Sequence, residues 1–292
     1  MEYILYVIET GLLAYFAFSA LYTLLMAIMS HLDQPMPPTK WSKPRNRICV
    51  LIPAYKEDSV IYDTARSAAF NQSYPSNLYE VIVIADQLKP STIRKLGELP
   101  IRVIPVSFEK STKVKALNAA LDQLDDIYVC AVILDADNVM EFTFLEKVST
   151  LYDSSNHKVI QGQRKPKNSQ TTLAFLDGVS ESINTSIFRR GTSATGLSSA
   201  ISGSGFAAEF GLLRQELSAM DSIGGFDREL ELRFIKKGFN VHYQHDLVVY
   251  DEKVSTTSSF ENQRKRWISS QYVYLSKYFK EGMLSLLKGD IS

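Results

Sequence analysis

Hydrophobic residues along this chain fall into one long apolar stretch followed by many short ones. The long stretch covers residues 3–29 and reads YILYVIETGLLAYFAFSALYTLLMAIM. A helix of this length, rising 1.5 Å per residue, can cross a hydrocarbon core of about 30 Å, which predicts a transmembrane helix. The alternative interpretation is a buried core helix. A cleaved signal peptide is disfavoured because no basic residue precedes the stretch and it is too long.

Beyond this stretch, short apolar runs alternate with segments of helical periodicity. The runs predict strands at Ile48–Ala54, Glu80–Ala85, Arg102–Val106, Tyr128–Leu134, Val159–Gln163 and Val241–Tyr250. The periodic segments predict helices at Ser59–Ala69, Ser91–Leu96, Val114–Leu124, Leu173–Arg189 and Asp227–Lys237, and an amphipathic helix lying on the membrane at Tyr274–Leu287. Continuous apolar strands separated by helices are typical of an α/β fold with a mostly parallel sheet covered on both faces.

Composition narrows the possible functions. The 292 residues contain 32 Lys and Arg against 32 Asp and Glu, and 45% are hydrophobic. This excludes disorder and disfavours general nucleic-acid binding, because no basic excess is available to neutralise phosphates. Cys49 and Cys130 each lie in an apolar run, which predicts buried reduced thiols and not a disulfide framework or zinc site.

Charge is unevenly distributed around the apolar stretch. Residues 1–34 contain three acidic residues and no Lys or Arg, and the first basic residues follow at Lys40, Lys43, Arg45 and Arg47. The positive-inside rule then predicts that the N-terminus lies outside and the remaining residues in the cytoplasm. We expect a single-pass protein of the inner (cytoplasmic) membrane.

Carboxylates follow two of the predicted strands. Asp135 and Asp137 end the run ILDAD, and Asp86 ends EVIVIAD. Ligands of parallel α/β sheets bind beyond the carboxyl ends of the strands. A carboxylate pair there can hold Mg²⁺ or Mn²⁺ against a diphosphate, and Asp86 can accept a hydrogen bond from a base or ribose. A solvated turn is the alternative for Asp135 and Asp137, and a helix N-cap or turn aspartate is the alternative for Asp86.

Two further segments carry candidate chemistry. In GGFDRELELRFIKKG, Asp227 and Glu229 lie in the first turn of a predicted helix, although Glu229 can instead pair with Arg233 at i, i+4. In QRKRW, residues 263–267 offer an amide, a guanidinium and an aromatic ring on one helix face. A basic helix at the membrane surface is the competing interpretation of the second segment.

Taken in order, these segments resemble the membrane-anchored, inverting glycosyltransferases of family 2, which include cellulose, chitin and hyaluronan synthases and exopolysaccharide transferases. The resemblance runs from about Arg47 to Tyr272 and rests on LIPAYKED, the Asp after the second strand, TKVKALN, DAD, IQGQRKPKN, SGSGF, GGFDRELELR and QRKRW. It implies a GT-A fold and the transfer of a hexose from a nucleotide-diphosphate sugar, with UDP-sugar expected, to a glycan or a lipid-linked acceptor. Processive relatives have further membrane helices after the QRKRW segment. The resemblance therefore implies that export of the product uses such helices or a separate channel subunit.

Roles carried over by the resemblance fall into four groups. The nucleotide-sugar pocket is implied at Ala54, Tyr55, Glu57, Asp86, Lys113, Asp135 and Arg266. Asp137, with Asp135, is implied to bind Mg²⁺ or Mn²⁺. Glu229 matches the general base, with Asp227 as the second candidate. The acceptor is implied to contact Gln263 and Trp267.

The expected organisation has four parts: a transmembrane anchor at 1–34, a Pro-rich linker at 35–46, the GT-A catalytic domain at 47–252, and the QxxRW helix with its membrane-surface tail at 253–292. Expected partners are a nucleotide sugar, the acceptor and membrane lipids, but no nucleic acid. Two other functions stay open from the sequence. One is a weakly active or non-catalytic nucleotide-sugar-binding subunit of an envelope assembly, and the other is a nucleotidyltransferase.

Overall fold

The structure, a computed structural model, describes residues 2–32, 46–220, 225–254 and 256–289, with the side chains of Ser259 and Asn262 excepted. Apart from Asn46, the linker predicted at 35–46 lies outside these residues, as do the basic residues at positions 40, 43 and 45.

Eight strands and ten α-helices form the described chain. The strands are β1 (Ile48–Tyr55), β2 (Tyr79–Asp86), β3 (Arg102–Val106), β4 (Cys130–Ile133), β5 (Val139–Met140), β6 (Val159–Pro166), β7 (Phe206–Glu209) and β8 (Val241–Asp251). The helices are α1 (Glu2–Leu32), α2 (Ile61–Phe70), α3 (Pro90–Leu96), α4 (Lys113–Leu121), α5 (Phe144–Ser154), α6 (Thr172–Thr185), α7 (Thr192–Ala194), α8 (Phe210–Ser218), α9 (Phe226–Lys236) and α10 (Thr257–Leu287). A π-helical segment, Ser186–Gly191, joins α6 to α7.

All eight strands belong to one sheet in the order β3-β2-β1-β4-β7-β6-β8-β5. The pairs β3/β2, β2/β1, β1/β4 and β6/β8 are parallel, whereas β7 runs antiparallel to both of its neighbours and β5 runs antiparallel to β8. The prediction of a mostly parallel α/β fold is therefore confirmed.

Both faces of the sheet are buried, which explains why β1 reads as a continuous apolar run. Val50 and Ile52 point into a core formed with α2 and α5, and Cys49 and Leu51 point into a second core formed with α4, α8 and α9. Cys49 and Cys130 are buried free thiols, as predicted.

Local signals account for several helix ends. The side chain of Thr112 accepts a hydrogen bond from the Lys115 amide at 3.2 Å and caps α4. Gly238, with φ of +80°, follows the last turn of α9, where a left-handed residue ends a helix without strain.

Three elements differ from the expectations. The helix predicted as Leu173–Arg189 consists of α6 and the π-helical segment, and the amphipathic run at Tyr274–Leu287 is the second half of one 31-residue helix, α10. The Ser-, Thr- and Gly-rich segment 192–205 predicts loops around a short strand, but the strand instead follows this segment, as β7. Helices α5 and α8 and strand β5 were not predicted.

Helix α1 has the length and apolar composition of a membrane span, and only 6% of its most apolar window is buried. This exposure contradicts the alternative of a core helix. The C-terminal end of α1 packs on the π-helical segment: Ser30 Oγ lies 2.9 Å from Ser186 Oγ, and Met26 is 3% exposed. Residues 2–18 are exposed.

Candidate active site

A cleft of about 630 Å³ opens at the carboxyl ends of β1, β2 and β4. It is lined by eight of the residues predicted from the sequence to bind the nucleotide sugar or metal: Ala54, Tyr55, Glu57, Asp86, Lys113, Asp135, Asp137 and Arg266. The parallel pairing of β1 with β2 and β4 produces this convergence, because it brings the ends of three strands to one edge of the sheet.

Two strained turns shape this edge. Lys56 (φ +58°) follows β1 and Gln87 (φ +55°) follows β2, and within the described residues they are the only non-glycine residues with positive φ. The Lys56 amide donates to the Asp86 carbonyl at 3.1 Å, which joins the two turns. Such backbone strain is concentrated at functional sites, because the surrounding structure must enforce it.

Asp86 carries an unused acceptor into the cleft. Its side chain is 2% exposed, and its Oδ1 has no hydrogen-bond partner among the described residues. An unsatisfied buried carboxylate oxygen costs about 1–3 kcal/mol or more, so a ligand N–H or O–H at this position would be favoured.

Lys113 is held by the cleft and is not a solvated surface residue. Its ammonium pairs with the Asp135 carboxylate, donates to the Gly203 carbonyl at 2.8 Å, and lies 5.1 Å from the centre of the Phe226 ring. Burial raises the pKa of Asp135, but the Lys113 and Arg164 charges outweigh burial and bring that pKa below its ordinary value. Asp135 is therefore a carboxylate at neutral pH.

The loop that carries Asp135 and Asp137 is fixed by Asn138, which sequence reasoning did not single out. Asn138 is 1% exposed; its amide donates to Asp137 Oδ1 at 2.9 Å, and its oxygen accepts from the Asp135 amide at 3.2 Å. The DADN order itself was the available signal, because a side-chain amide directly after two acids can hold the turn.

Negative charge accumulates at this loop. Burial and the Asp135 charge raise the pKa of Asp137, and burial together with Asp137 and Asp135 raises the pKa of Glu57. Mutual repulsion of this kind favours a bound cation. The described part of the chain contains no group of three or more His, Cys, Asp or Glu side chains arranged to hold a metal. One or two carboxylates plus ligand phosphates is, however, the usual environment of Mg²⁺.

The two candidate bases have different environments. Asp227 lies beside the SGSGF loop, where a methyl group placed on Gly203 would be 3.6 Å from Asp227 Oδ2. Glu229 is 1% exposed, and its Oε1 accepts hydrogen bonds from Arg233 at 3.2 Å and Lys277 at 2.8 Å. The i, i+4 pair considered from the sequence is thus present, and Glu229 also joins α9 to α10.

Of the three candidate residues in the QRKRW segment, one lines the cleft. Arg266 lines the cleft, whereas Gln263 and Trp267 are absent from the described residues that line it. Trp267 is 45% exposed and stacks against the Arg264 guanidinium at 4.6 Å. Arg264 in turn pairs with Asp177 of α6 at 3.0 Å.

A buried charged cluster beside the cleft was also missed by sequence reasoning. Lys253 lines the cleft with a 2% exposed side chain and pairs with Glu181 and Asp251, and Arg164 contacts the same two acids. The only sequence signal was an unusual mixture of charges in a predicted strand end, and no spacing rule links residues so far apart in the chain.

The chain is an α/β protein with a polar cleft at the carboxyl edge of its sheet. The sequence model of the glycosyltransferase-like family 2 matches residues 44–270, and the chain belongs to that family. A comparison with curated proteins finds no significant match.

Solved structures share the fold. The mannosyltransferase PcManGT from Pyrobaculum calidifontis, in complex with GDP-Man and Mn²⁺, superposes with a TM-score of 0.62 at 21% identity, covering 82% of this chain and 67% of that one. TarS residues 1–349 from S. aureus, in complex with UDP-GlcNAc, gives a TM-score of 0.50 at 14% identity, covering 72% of this chain and 59% of that one. The fold is GT-A-like, and family and fold together support a nucleotide-sugar glycosyltransferase.

Proposed function

We propose that the protein is a metal-dependent inverting hexosyltransferase that transfers a sugar from a nucleotide-diphosphate sugar to a glycan or lipid-linked acceptor at the cytoplasmic face of the membrane. The observation that carries this proposal is the convergence of eight predicted residues on one cleft at the carboxyl edge of the sheet. The two solved neighbours bind GDP-Man and UDP-GlcNAc, which supports a nucleotide sugar but leaves its base and sugar open.

In this proposal the nucleotide lies over the ends of β1 and β2. The buried Asp86 carboxylate accepts a hydrogen bond from the base or ribose with its unpaired Oδ1. Lys113 and Arg266 bring positive charge to the diphosphate, and their donors stay in place as charge develops on the leaving group. Ala54 and Tyr55 form the apolar wall of the pocket.

Asp137, assisted by Asp135, fits a divalent cation shared with the diphosphate. The support is the accumulation of negative charge at this loop, which raises the pKa of Asp137, and the neighbour's Mn²⁺. A bound Mg²⁺ or Mn²⁺ would supply charge neutralisation to the departing diphosphate.

Asp227 is our preferred base. It lies beside the loop that Lys113 contacts, whereas Glu229 is enclosed by the cations of α9 and α10. The base accepts the proton of the acceptor hydroxyl while that oxygen attacks the anomeric carbon from the face opposite the nucleotide, so a single displacement inverts the centre. Gln263 and Trp267 stay acceptor candidates.

Membrane attachment is part of the proposal and rests on α1 together with an exposed apolar stripe on α10. The stripe consists of Ile268, Tyr272, Leu275, Phe279, Met283 and Leu286, which recur every three or four residues and are exposed. A helix with this pattern lies with its apolar face in the interfacial region of a bilayer.

The proposal is tested by incubating the purified chain in nanodiscs with a panel of UDP- and GDP-sugars and Mn²⁺, and measuring nucleoside diphosphate release. We expect turnover of one class of donor, lost in Asp137→Ala. If no donor is turned over while nucleotide sugars still bind, the chain is a binding subunit and not a transferase.

A further inference from the structure

An apolar groove separate from the cleft runs along α6. It has a volume of about 500 Å³ and lies between α6 and the segment that follows β6, with Pro166, Phe175, Gly178, Val179, Ile183 and Ser186 among its lining residues. The described residues that line it carry no charged side chain. Phe175, Val179 and Ile183 are 57%, 40% and 54% exposed, so the groove leaves apolar side chains uncovered.

One end of the groove meets the candidate membrane span. Ser186, at this end, lies within hydrogen-bond distance of Ser30, near the C-terminal end of α1. At the other end of the π-helical segment, Gly191 approaches the Met26 backbone so closely that a methyl group would lie 2.2 Å from its carbonyl oxygen. The groove therefore opens directly beside α1.

Lys167 connects the groove to the cleft. Pro166 and Ser169 line the groove and flank Lys167 in the chain. The Lys167 ammonium donates to the carbonyl of Asp137, the candidate metal ligand, and Lys165 and Lys167 are both exposed. Positive charge thus lies between residues that line the apolar groove and the acidic loop of the cleft.

We propose that this groove binds the hydrocarbon chain of an acceptor lipid whose phosphate lies beside Lys167. Binding a hydrocarbon chain in this uncharged groove is favourable because it buries apolar surface. A soluble glycan offers no such surface. The Lys167 ammonium favours a phosphate-bearing acceptor over an ordinary bilayer lipid. A hydrocarbon chain bound in the groove would place that phosphate near Asp137. This inference rests on the proposed function and selects the lipid-linked acceptor.

Gly178 offers a variant that fills the groove without opening a core. A Cβ at this position would lie 3.4 Å from Pro166 Cγ, an ordinary contact, so Ala fits and the longer Leu side chain occupies the groove. Both residues favour a helix more than Gly does, so neither change weakens α6. Gly178→Ala is the matched control for Gly178→Leu.

The first experiment is photolabelling of the full chain in nanodiscs by dodecyl phosphate carrying a terminal diazirine, with labelled peptides mapped by mass spectrometry. We expect saturable labelling of α6 that is reduced at least tenfold in Gly178→Leu and less than threefold in Gly178→Ala. Because partition into the disc is the same for all three proteins, the ratio reports the groove. Labelling that is equal in all three, or that maps away from α6, overturns the proposal.

The second experiment separates an acceptor lipid from a bilayer lipid. Unlabelled dodecyl phosphate, dodecanol and dodecyltrimethylammonium compete with the probe, in wild type and in Lys167→Gln. We expect dodecyl phosphate to be the strongest competitor. In Lys167→Gln its competing potency should fall about five- to tenfold, whereas the potency of dodecanol should not change. Equal competition by all three heads means that the groove is lipid-covered surface, and the acceptor assignment fails.

Donor turnover is measured on the same samples as nucleoside diphosphate release without acceptor. Turnover with no groove labelling rejects this inference and leaves the proposed function intact. Groove labelling in a wild-type protein that turns over no donor rejects the proposed function instead.

Discussion

Glu229→Gln separates the two candidate bases, because the structure gives Glu229 a measurable stabilising role. The carboxylate is 1% exposed and pairs with Arg233 and Lys277, which ties α9 to α10. Removing one partner of a fully buried ion pair costs about 3–5 kcal/mol. Here the side chains of Arg233 and Lys277 are 22% and 42% exposed and can be rehydrated. Glutamine also keeps an oxygen that accepts hydrogen bonds, so we expect a loss of about 1–2 kcal/mol.

The assay is thermal unfolding followed by circular dichroism, run in parallel with donor turnover. A loss of about 1–2 kcal/mol corresponds to a fall in melting temperature of about 3–6 °C for a domain of this size. Glu281→Gln is the control: its pair with Lys236 also joins α9 to α10 but is exposed, so the expected change is about 0–1 kcal/mol. Unchanged stability of Glu229→Gln together with a thousandfold loss of turnover would refute this reasoning and make Glu229 the base.

Three further outcomes follow from the structure. Gly191→Ala should weaken the packing of α1 on the domain by about 1–3 kcal/mol, because the added methyl group would clash with the Met26 backbone. Limited proteolysis should then be faster than in the wild type. Gly211→Ala, which has open space for a methyl group, is the control. Burial and the neighbouring His157 lower the pKa of His242 from 6.5 to about 4. Because the unfolded chain therefore binds this proton at a higher pH than the folded chain, the free energy of unfolding falls as pH drops from about 6.5 towards 4. Between pH 7 and pH 5 the wild type should lose about 1–2 kcal/mol more than His242→Gln in urea titrations, and equal losses would contradict the pKa direction. Dialysis against EDTA should abolish donor turnover, and Mn²⁺ should restore it. Full activity after chelation would show that turnover does not require a metal.

The sequence predicts most of the sheet, and eight of the twelve candidate residues line the cleft, because both depend on local pattern. Strands such as β1 and β2 are continuous apolar runs that end in polar residues, and parallel pairing then brings those ends together. Strand β7, with four residues, passes directly into α8, and an apolar run of that length does not distinguish strand from helix. The two residues of β5 carry no periodicity at all.

The choice between Asp227 and Glu229 could not be made from spacing. Both lie in the first turn of α9, and the sequence shows the i, i+4 partner Arg233 but not Lys277, which arrives from a helix 48 residues later. Likewise the buried cluster of Lys253 with Glu181 exists only after β8 and α6 have packed. Tertiary contacts of this kind lie outside what single-sequence periodicity can reveal.

The central claim is that the cleft transfers a sugar with Asp227 as the base. The most direct measurement is the rate of transfer from the preferred nucleotide sugar by Asp227→Asn, alongside donor binding. We expect kcat to fall by about 10²–10⁴-fold, the range for a lost general base, while the donor dissociation constant changes less than threefold. Transfer at the wild-type rate by Asp227→Asn, with donor binding intact, would contradict it.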